Sequence, residues 1–155
     1  VVTILLVIPT KQPVVYTNIS RNFRTCLFTT DPAAAAPIWQ AVQQAAADQP
    51  INAQRFTAPH GTPADLTPYL NGLIATKCKL IVAVGTDLHD TVSTVASANP
   101  STEFINIGST TALSNIHDLP ADPHQIRQLV LDAAHKPPAT TATAPSSSTP
   151  LPSTK

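Results

Sequence analysis

Three short stretches place polar, chemistry-bearing residues directly after apolar runs. Thr30-Asp31 follows TCLFT, Gly85-Thr86-Asp87 follows LIVAV, and Ser109-Thr110 follows EFINIG. An apolar run of strand formers that ends in such residues and leads into a helix pattern is a strand-to-helix turn. In parallel α/β sheets, ligands sit beyond the carboxyl ends of the strands, at a crevice between neighbours. Helix N-termini there present N–H groups and the positive end of a dipole. The candidate ligand-binding residues are therefore Thr30, Asp31, Gly85, Thr86, Asp87 and Ser109, with Thr110 beside them, for a small polar or anionic solute. The competing reading is that Asp31, Asp87 and Ser109 only cap helices or turns, which these residue types do well.

Other chemistries find less support. Asp87-Leu88-His89-Asp90 resembles a metal-ligand fragment, and His60, His117, His124 and His135 are scattered along the chain. A metal needs three or four converging side chains, and no spacing here enforces that. These are better read as exposed helix-start residues, and no metal site is expected. No Walker loop, GxGxxG or GxSxG motif occurs, and the chain has 4 glycines. Asp65, Asp87, Asp90, Asp118 and Asp122 form no evident acid–base pair. No catalytic residue and no cofactor are expected, and the chain is not read as an enzyme.

The two cysteines, Cys26 and Cys78, lack the CxxC spacing of redox and zinc sites. They lie near the amino ends of the first and third expected strands, which would be neighbours in the sheet. A disulfide between them is expected, with two buried free thiols as the alternative. A bridge favours an oxidising, extracytoplasmic compartment.

The elements that must position these residues are legible in the periodicity. Strands are expected over Thr25–Thr30, Ile51–Ala58, Leu80–Val84 and Glu103–Ile107, with a possible short fifth over Leu113–His117. Ile51, Ala53 and Phe56 are the expected inward residues of the second. LIVAV is apolar throughout, as in a strand buried on both faces. A helix over Pro37–Asp48 puts Ile38, Trp39, Val42, Ala45 and Ala46 on one face, with Pro37 in its first turn. A second helix starts at a Thr62 cap followed by Pro63 and Asp65, and buries Leu66, Tyr69, Leu70, Leu73 and Ile74. A third runs over Leu88–Ala98. Asp122, Pro123 and Gln125 start a fourth in a capping-box pattern. Strand–helix alternation predicts an α/β fold: a single three-layer sandwich with a mostly parallel sheet and the flavodoxin-like order 2-1-3-4-5.

The chain has 155 residues, enough for one domain with a real core. Its 9 basic and 9 acidic residues cancel, so no electrostatic field draws it to nucleic acid. The expected domain is 24–136. Residues 1–23 form an apolar segment and linker. Val1–Pro9 is too short to span a bilayer, which takes about 20 residues; it reads either as the end of a signal or anchor segment, giving a membrane anchor upstream, or as an edge strand. With 0 methionines, the chain is read as processed, trimmed or a fragment. Residues 137–155 are Pro/Ser/Thr-rich and are expected to be a disordered tail or stalk.

Four segments then carry a family resemblance: TCLFTTD with APIWQAVQQAA, PADLTPYLNGLIATKCKLIVAVG, and NPSTEFINIGS. Together they resemble the N-terminal lobe of the basic membrane protein family, substrate-binding lipoproteins of ABC importers with a type I periplasmic-binding fold. The resemblance covers about residues 24–118. It implies an extracytoplasmic solute-binding or sensor module, secreted or anchored to the outer face of the cell membrane, with a small solute, often a nucleoside, at the strand ends. The chain departs from the family in three places. A low-complexity tail stands where the second lobe would begin. The first loop is DPAAAAP, with Asp31 its lone polar group and no aromatic unless Trp39 serves. The fourth strand ends in Ile107-Gly108-Ser109 rather than in an Asp. Two alternatives follow: a structural or interaction domain that kept the fold and lost the ligand, binding a protein partner, or a homodimer whose facing lobes rebuild the cleft.

Overall fold

The computed structural model describes residues 23–136; the readings made for residues 1–22 and 137–155 lie outside them. Five strands, β1 (Phe23–Thr29), β2 (Ile51–Thr57), β3 (Leu80–Val84), β4 (Glu103–Ile107) and β5 (Ile116–Leu119), alternate with four helices, α1 (Pro32–Asp48), α2 (Pro63–Ala75), α3 (His89–Ala98) and α4 (Pro123–His135). The strands form one sheet in the order β2-β1-β3-β4-β5, and every pairing is parallel. This is the expected α/β sandwich and strand order.

Side-chain alternation along each strand sorts the core into two halves. Cys26, Phe28, Ile81, Ala83, Phe104 and Ile116 pack with Leu66, Leu70 and Leu73 of α2 and Val92, Val95 and Ala96 of α3. Leu27, Leu80, Val82, Val84, Ile105 and Ile107 face the other way, onto Ile38 and Val42 of α1 and Ile126 and Val130 of α4. LIVAV is buried at all five positions, since helices cover both faces of β3.

α1 begins at Pro32, five residues before the expected start. Asp31 accepts hydrogen bonds from the Ala33 and Ala34 N–H groups at 3.1 Å each, and Pro32 fills the first turn, where its missing N–H costs nothing. The alanines that follow are the strongest helix formers, so the helix nucleates there. Pro37 sits inside it. The bond it cannot donate would go to the Ala33 carbonyl; both residues are exposed, on the solvent side of the helix.

Three smaller expectations are also corrected. Phe56, expected inward, is 37% exposed, and Tyr69, expected in the buried stripe, is 49% exposed. Phe56 lies on the edge strand β2, beyond the cover of the helices; Tyr69 stacks on Phe28 with ring centroids 6.0 Å apart. β5 is Ile116–Leu119 rather than Leu113–His117. Leu113 reaches the core from the preceding loop, and the Ile116 N–H turns back to the Leu113 carbonyl, so the strand starts later.

Cys26 and Cys78 are joined in a disulfide with Cα atoms 5.9 Å apart. It ties β1 to the turn before its neighbour β3. The Lys79 N–H donates to the Arg24 carbonyl at 2.9 Å beside it.

Candidate functional site

β1 and β3 are adjacent, while α1 and α3, the helices that follow them, pack on opposite faces. Their carboxyl ends therefore form the switch point at which an α/β sheet opens a crevice. Thr30, Asp31, Gly85, Thr86 and Asp87 all lie there. The chain folds this way locally because Thr29 splices the two strand ends: its hydroxyl donates to the Val84 carbonyl at 2.8 Å and accepts the Asp31 N–H at 2.9 Å. Gly85 has φ +147°, a conformation that favours glycine. A Cβ there would stand 2.3 Å from the Thr30 hydroxyl, so glycine alone permits the close approach of the two turns.

Asp87 is the hub of this crevice. One carboxylate oxygen accepts the Thr30 hydroxyl at 2.5 Å. The other meets His60 Nδ1 at 3.0 Å and the Gly61 N–H at 3.4 Å. Partial burial pushes its carboxyl up, but the hydrogen bonds from Thr30, His60, Gly61 and its own N–H outweigh that and hold it below the usual carboxylate range. The first orphan N–H groups of α1 are taken by Asp31, so this helix end is not open to an anion. Asp31 and Asp87 both lie at the crevice, so its charge disfavours an anion there. Thr86 is exposed at the rim.

Ser109 belongs to a separate cluster at the ends of β4 and β5. Its hydroxyl is 3.1 Å from that of Thr111, which in turn lies 3.5 Å from that of Ser93 on α3. The Thr111 N–H donates to Asp118. His89 is not an exposed helix-start residue: it is half-buried, and its Nε2 meets the Ile107 carbonyl at 2.9 Å. Beneath lies Asn106, wholly buried. His60, Asn106, Thr111 and Asp118 were not among the sequence candidates. The legible signal was Asn106, a lone amide inside the apolar run EFINI.

Among the described residues, no three His, Cys, Asp or Glu side chains converge as a metal set, and no helix is long and apolar enough to cross a membrane. Two open grooves stand apart from the crevice. One of about 460 Å³ runs between α1 and α4, lined by Gln44, Asp48, His124 and Arg127. The other, of about 320 Å³, is apolar and lined by Phe28, Phe56, Pro68, Tyr69 and Leu73. None of the six candidate ligand residues lines either groove.

No family model matches this chain, and no curated protein matches it, so membership of the basic membrane protein family stands as a resemblance. Solved structures do match. A fragment assigned as a lipoprotein from Peptoclostridium difficile 630 superposes with a TM-score of 0.60 at 17% identity, over 69% of this chain and 92% of that one. An ABC transporter solute-binding protein from Aeropyrum pernix K1 gives 0.52 at 15% identity, over 62% of this chain and 28% of that one. Another from Conexibacter woesei DSM 14684 gives 0.53 at 18%, over 61% and 34%. A transcriptional activator of the comK gene from Bacillus halodurans gives 0.55 at 13%, over 61% and 33%. The chain thus shares its α/β fold with part of these structures and spans about a third of the length of the solute-binding proteins it matches. None of these neighbours is named as an enzyme.

Proposed function

We propose that this chain is an extracytoplasmic solute-binding or sensor lobe, secreted or held at the outer face of the membrane. It takes a small neutral solute at the carboxyl ends of β1 and β3, with Thr30, Asp31, Gly85, Thr86 and Asp87 lining the crevice and Ser109 in the separate cluster at the ends of β4 and β5. The observation that carries this reading is the switch point itself: two turns, one held by Gly85 in a glycine-only conformation, brought face to face with a buried hydroxyl and a carboxylate between them. Likeness to solute-binding proteins and to a lipoprotein fragment of nearly the same extent supports it, as does the disulfide, which suits an oxidising compartment. Nucleosides, which the resemblance to the basic membrane protein family suggests, are the first ligand class to test. A second copy facing the first would supply the wall that the other lobe supplies in two-lobed relatives.

A second reading is favoured by a specific observation. Thr30, Asp31 and Asp87 already satisfy one another and their own backbone, whereas Phe56 and Tyr69, the exposed large apolar side chains among the described residues, share one groove. That pattern fits an interaction domain that kept the fold and recruits a protein partner. Fold alone does not choose between them; the comK activator carries the same fold.

Thermal unfolding of the full chain against nucleosides, sugars and amino acids separates the two. A solute at a hundred times its dissociation constant adds about 2.7 kcal/mol, which raises the midpoint by roughly 10 °C in a domain of this size. A shift of that order with one class supports the binding lobe, and no shift across the panel refutes it in favour of the interaction domain. Sedimentation with and without the active compound tests the facing dimer; a monomer under both conditions removes it.

A further inference from the structure

The apolar groove beside α2 keeps its room through a residue that the fold itself does not need. Gly72 lines the groove from inside α2, where glycine is the poorest helix former after proline. Nothing lies within 4 Å of where its Cβ would be, so no neighbour demands the missing side chain. What the glycine does is leave space. Phe28 and Phe56 line the sheet side of the groove, and Pro68, Tyr69, Leu73 and Thr76 the helix side. Phe56 and Tyr69, the exposed large apolar side chains among the described residues, therefore meet water at this one place.

The groove runs beside an open sheet edge. β2 stands at the end of the sheet and pairs only with β1 among the described residues. The Ala58 N–H donates to the Thr29 carbonyl at 3.0 Å. Successive residues of a strand turn their backbone groups to opposite sides, so Asn52, Gln54 and Phe56 turn theirs to β1 as well. Ala53, Arg55 and Thr57 turn their N–H and C=O groups outward, where among the described residues no strand receives them. Such an edge accepts an extended chain by strand addition. Edge and groove share Phe56, so a chain paired with the edge places every second side chain against the groove.

Charge at one end of the groove selects the chain. The Thr76 carbonyl accepts the Arg24 guanidinium, and Lys77, exposed, comes next in sequence. None of the residues lining the groove is acidic. Residues 1–22 and 137–155 contain no Asp or Glu, and residues 1–22 add Lys11 and Arg21, so neither terminal segment supplies a side-chain counter-charge. We infer that the groove and the β2 edge together bind an extended apolar segment of another protein that carries an acidic residue. It lies as a further strand beside β2, with alternate apolar side chains in the space over Gly72 and its carboxylate on Arg24 and Lys77. The inference deepens the interaction reading above and rests on it. It is independent of the crevice, whose six candidate residues lie outside this groove.

The test uses the full chain and labelled octapeptides that alternate valine or phenylalanine with threonine and end in an amidated glutamate or glutamine. Fluorescence anisotropy reads affinity, and amide exchange at Ala53, Arg55 and Thr57 reads the edge. The glutamate peptides are expected to bind and to slow that exchange. Binding is expected to weaken about tenfold when glutamine replaces the glutamate, and likewise in Lys77→Glu. Gly72→Leu is expected to lose binding at an unchanged or higher melting midpoint, since leucine is the better helix former. A peptide N-methylated on alternate amides is expected not to bind, and its binding as well as the parent would overturn the strand pairing. Equal affinity for glutamate and glutamine peptides, with binding lost in Gly72→Leu, overturns the acidic partner and leaves the interaction reading standing. Slow exchange at these amides in the chain alone also overturns the inference. It assigns the edge to a second copy where protection grows with protein concentration, and to the chain's own terminal segment where it does not. No binding by any peptide at millimolar concentration removes both this inference and the interaction reading.

Discussion

Reducing the disulfide should cost this domain a large part of its stability. Cys26 and Cys78 are 52 residues apart in sequence, and the closed loop contains most of β1, all of α1, β2 and α2, and the turn before β3. The chain-entropy relation for a loop of that length gives about 14 cal/mol/K, or about 4 kcal/mol at 25 °C. Domains of this size hold about 5–15 kcal/mol in total. At roughly 3–5 °C per kcal/mol, the midpoint should fall by about 12–20 °C when the bond is absent from both folded and unfolded chains. The assay is calorimetry or circular dichroism of the full chain, oxidised and after unfolding and refolding in a phosphine reductant, with thiols counted at each stage. The cysteines are 0% and 2% exposed, so reductant added to the folded protein should act only as fast as the domain opens. Reduced and oxidised midpoints within about 3 °C of each other, or two free thiols in the freshly purified folded protein, would refute the reasoning.

Substitutions at three other positions read different parts of the fold. Gly85→Ala should destabilise by about 2–4 kcal/mol, from positive-φ strain and the overlap with the Thr30 hydroxyl, and a chemical-denaturation midpoint within error of wild type would contradict the geometry. Asn115→Ala should cost about 2–3 kcal/mol, since its Nδ2 serves the carbonyls of Ala96, Asn99 and Thr102 at 3.0, 3.2 and 3.0 Å, and Asn115→Asp should not restore it. Asp87 and Glu103 are both held below their ordinary values of 3.8 and 4.5, Asp87 by the hydrogen bonds that outweigh its burial and Glu103 chiefly by the hydrogen bond from Lys136. A lowered folded-state value means that the unfolded chain binds the proton more readily, so this stabilisation is complete above the ordinary values and is lost as pH falls through and below them. Asp87→Asn should therefore flatten the decline of the midpoint between about pH 5 and 3, and an unchanged acid slope would show that Asp87 does not contribute.

Comparison of particular elements shows where local pattern suffices. LIVAV, Asp122-Pro123 and Thr62-Pro63-Ala64-Asp65 each speak through neighbouring residues alone. Their apolar run or cap chemistry gave β3 and the starts of α4 and α2 directly; Asp122 accepts the His124 N–H at 2.9 Å, and Asp65 accepts the Thr62 N–H at 3.0 Å. α1 was misjudged at its start, because Pro37 and Asp31-Pro32 are both good helix openings and the alanines between them carry no amphipathic signal. Phe56 and Tyr69 were misplaced because apolar side chains read alike whether a neighbouring element covers them or not.

What the sequence carried by itself, then, was the alternation of strands and helices, which implies a parallel sheet covered on both faces, and two cysteines near the amino ends of strands that the order 2-1-3-4-5 makes neighbours. Tertiary structure alone decided which polar groups meet. Asp87 finds Thr30 across 57 residues and His60 across 27, and Asn106 lies beside Asp118, without bonding it, only because β5 pairs with β4 in one register. Periodicity encodes which face a side chain takes on its own element, since that depends on local geometry. Which atoms are left without partners depends on every element packed around them, and no local pattern records it.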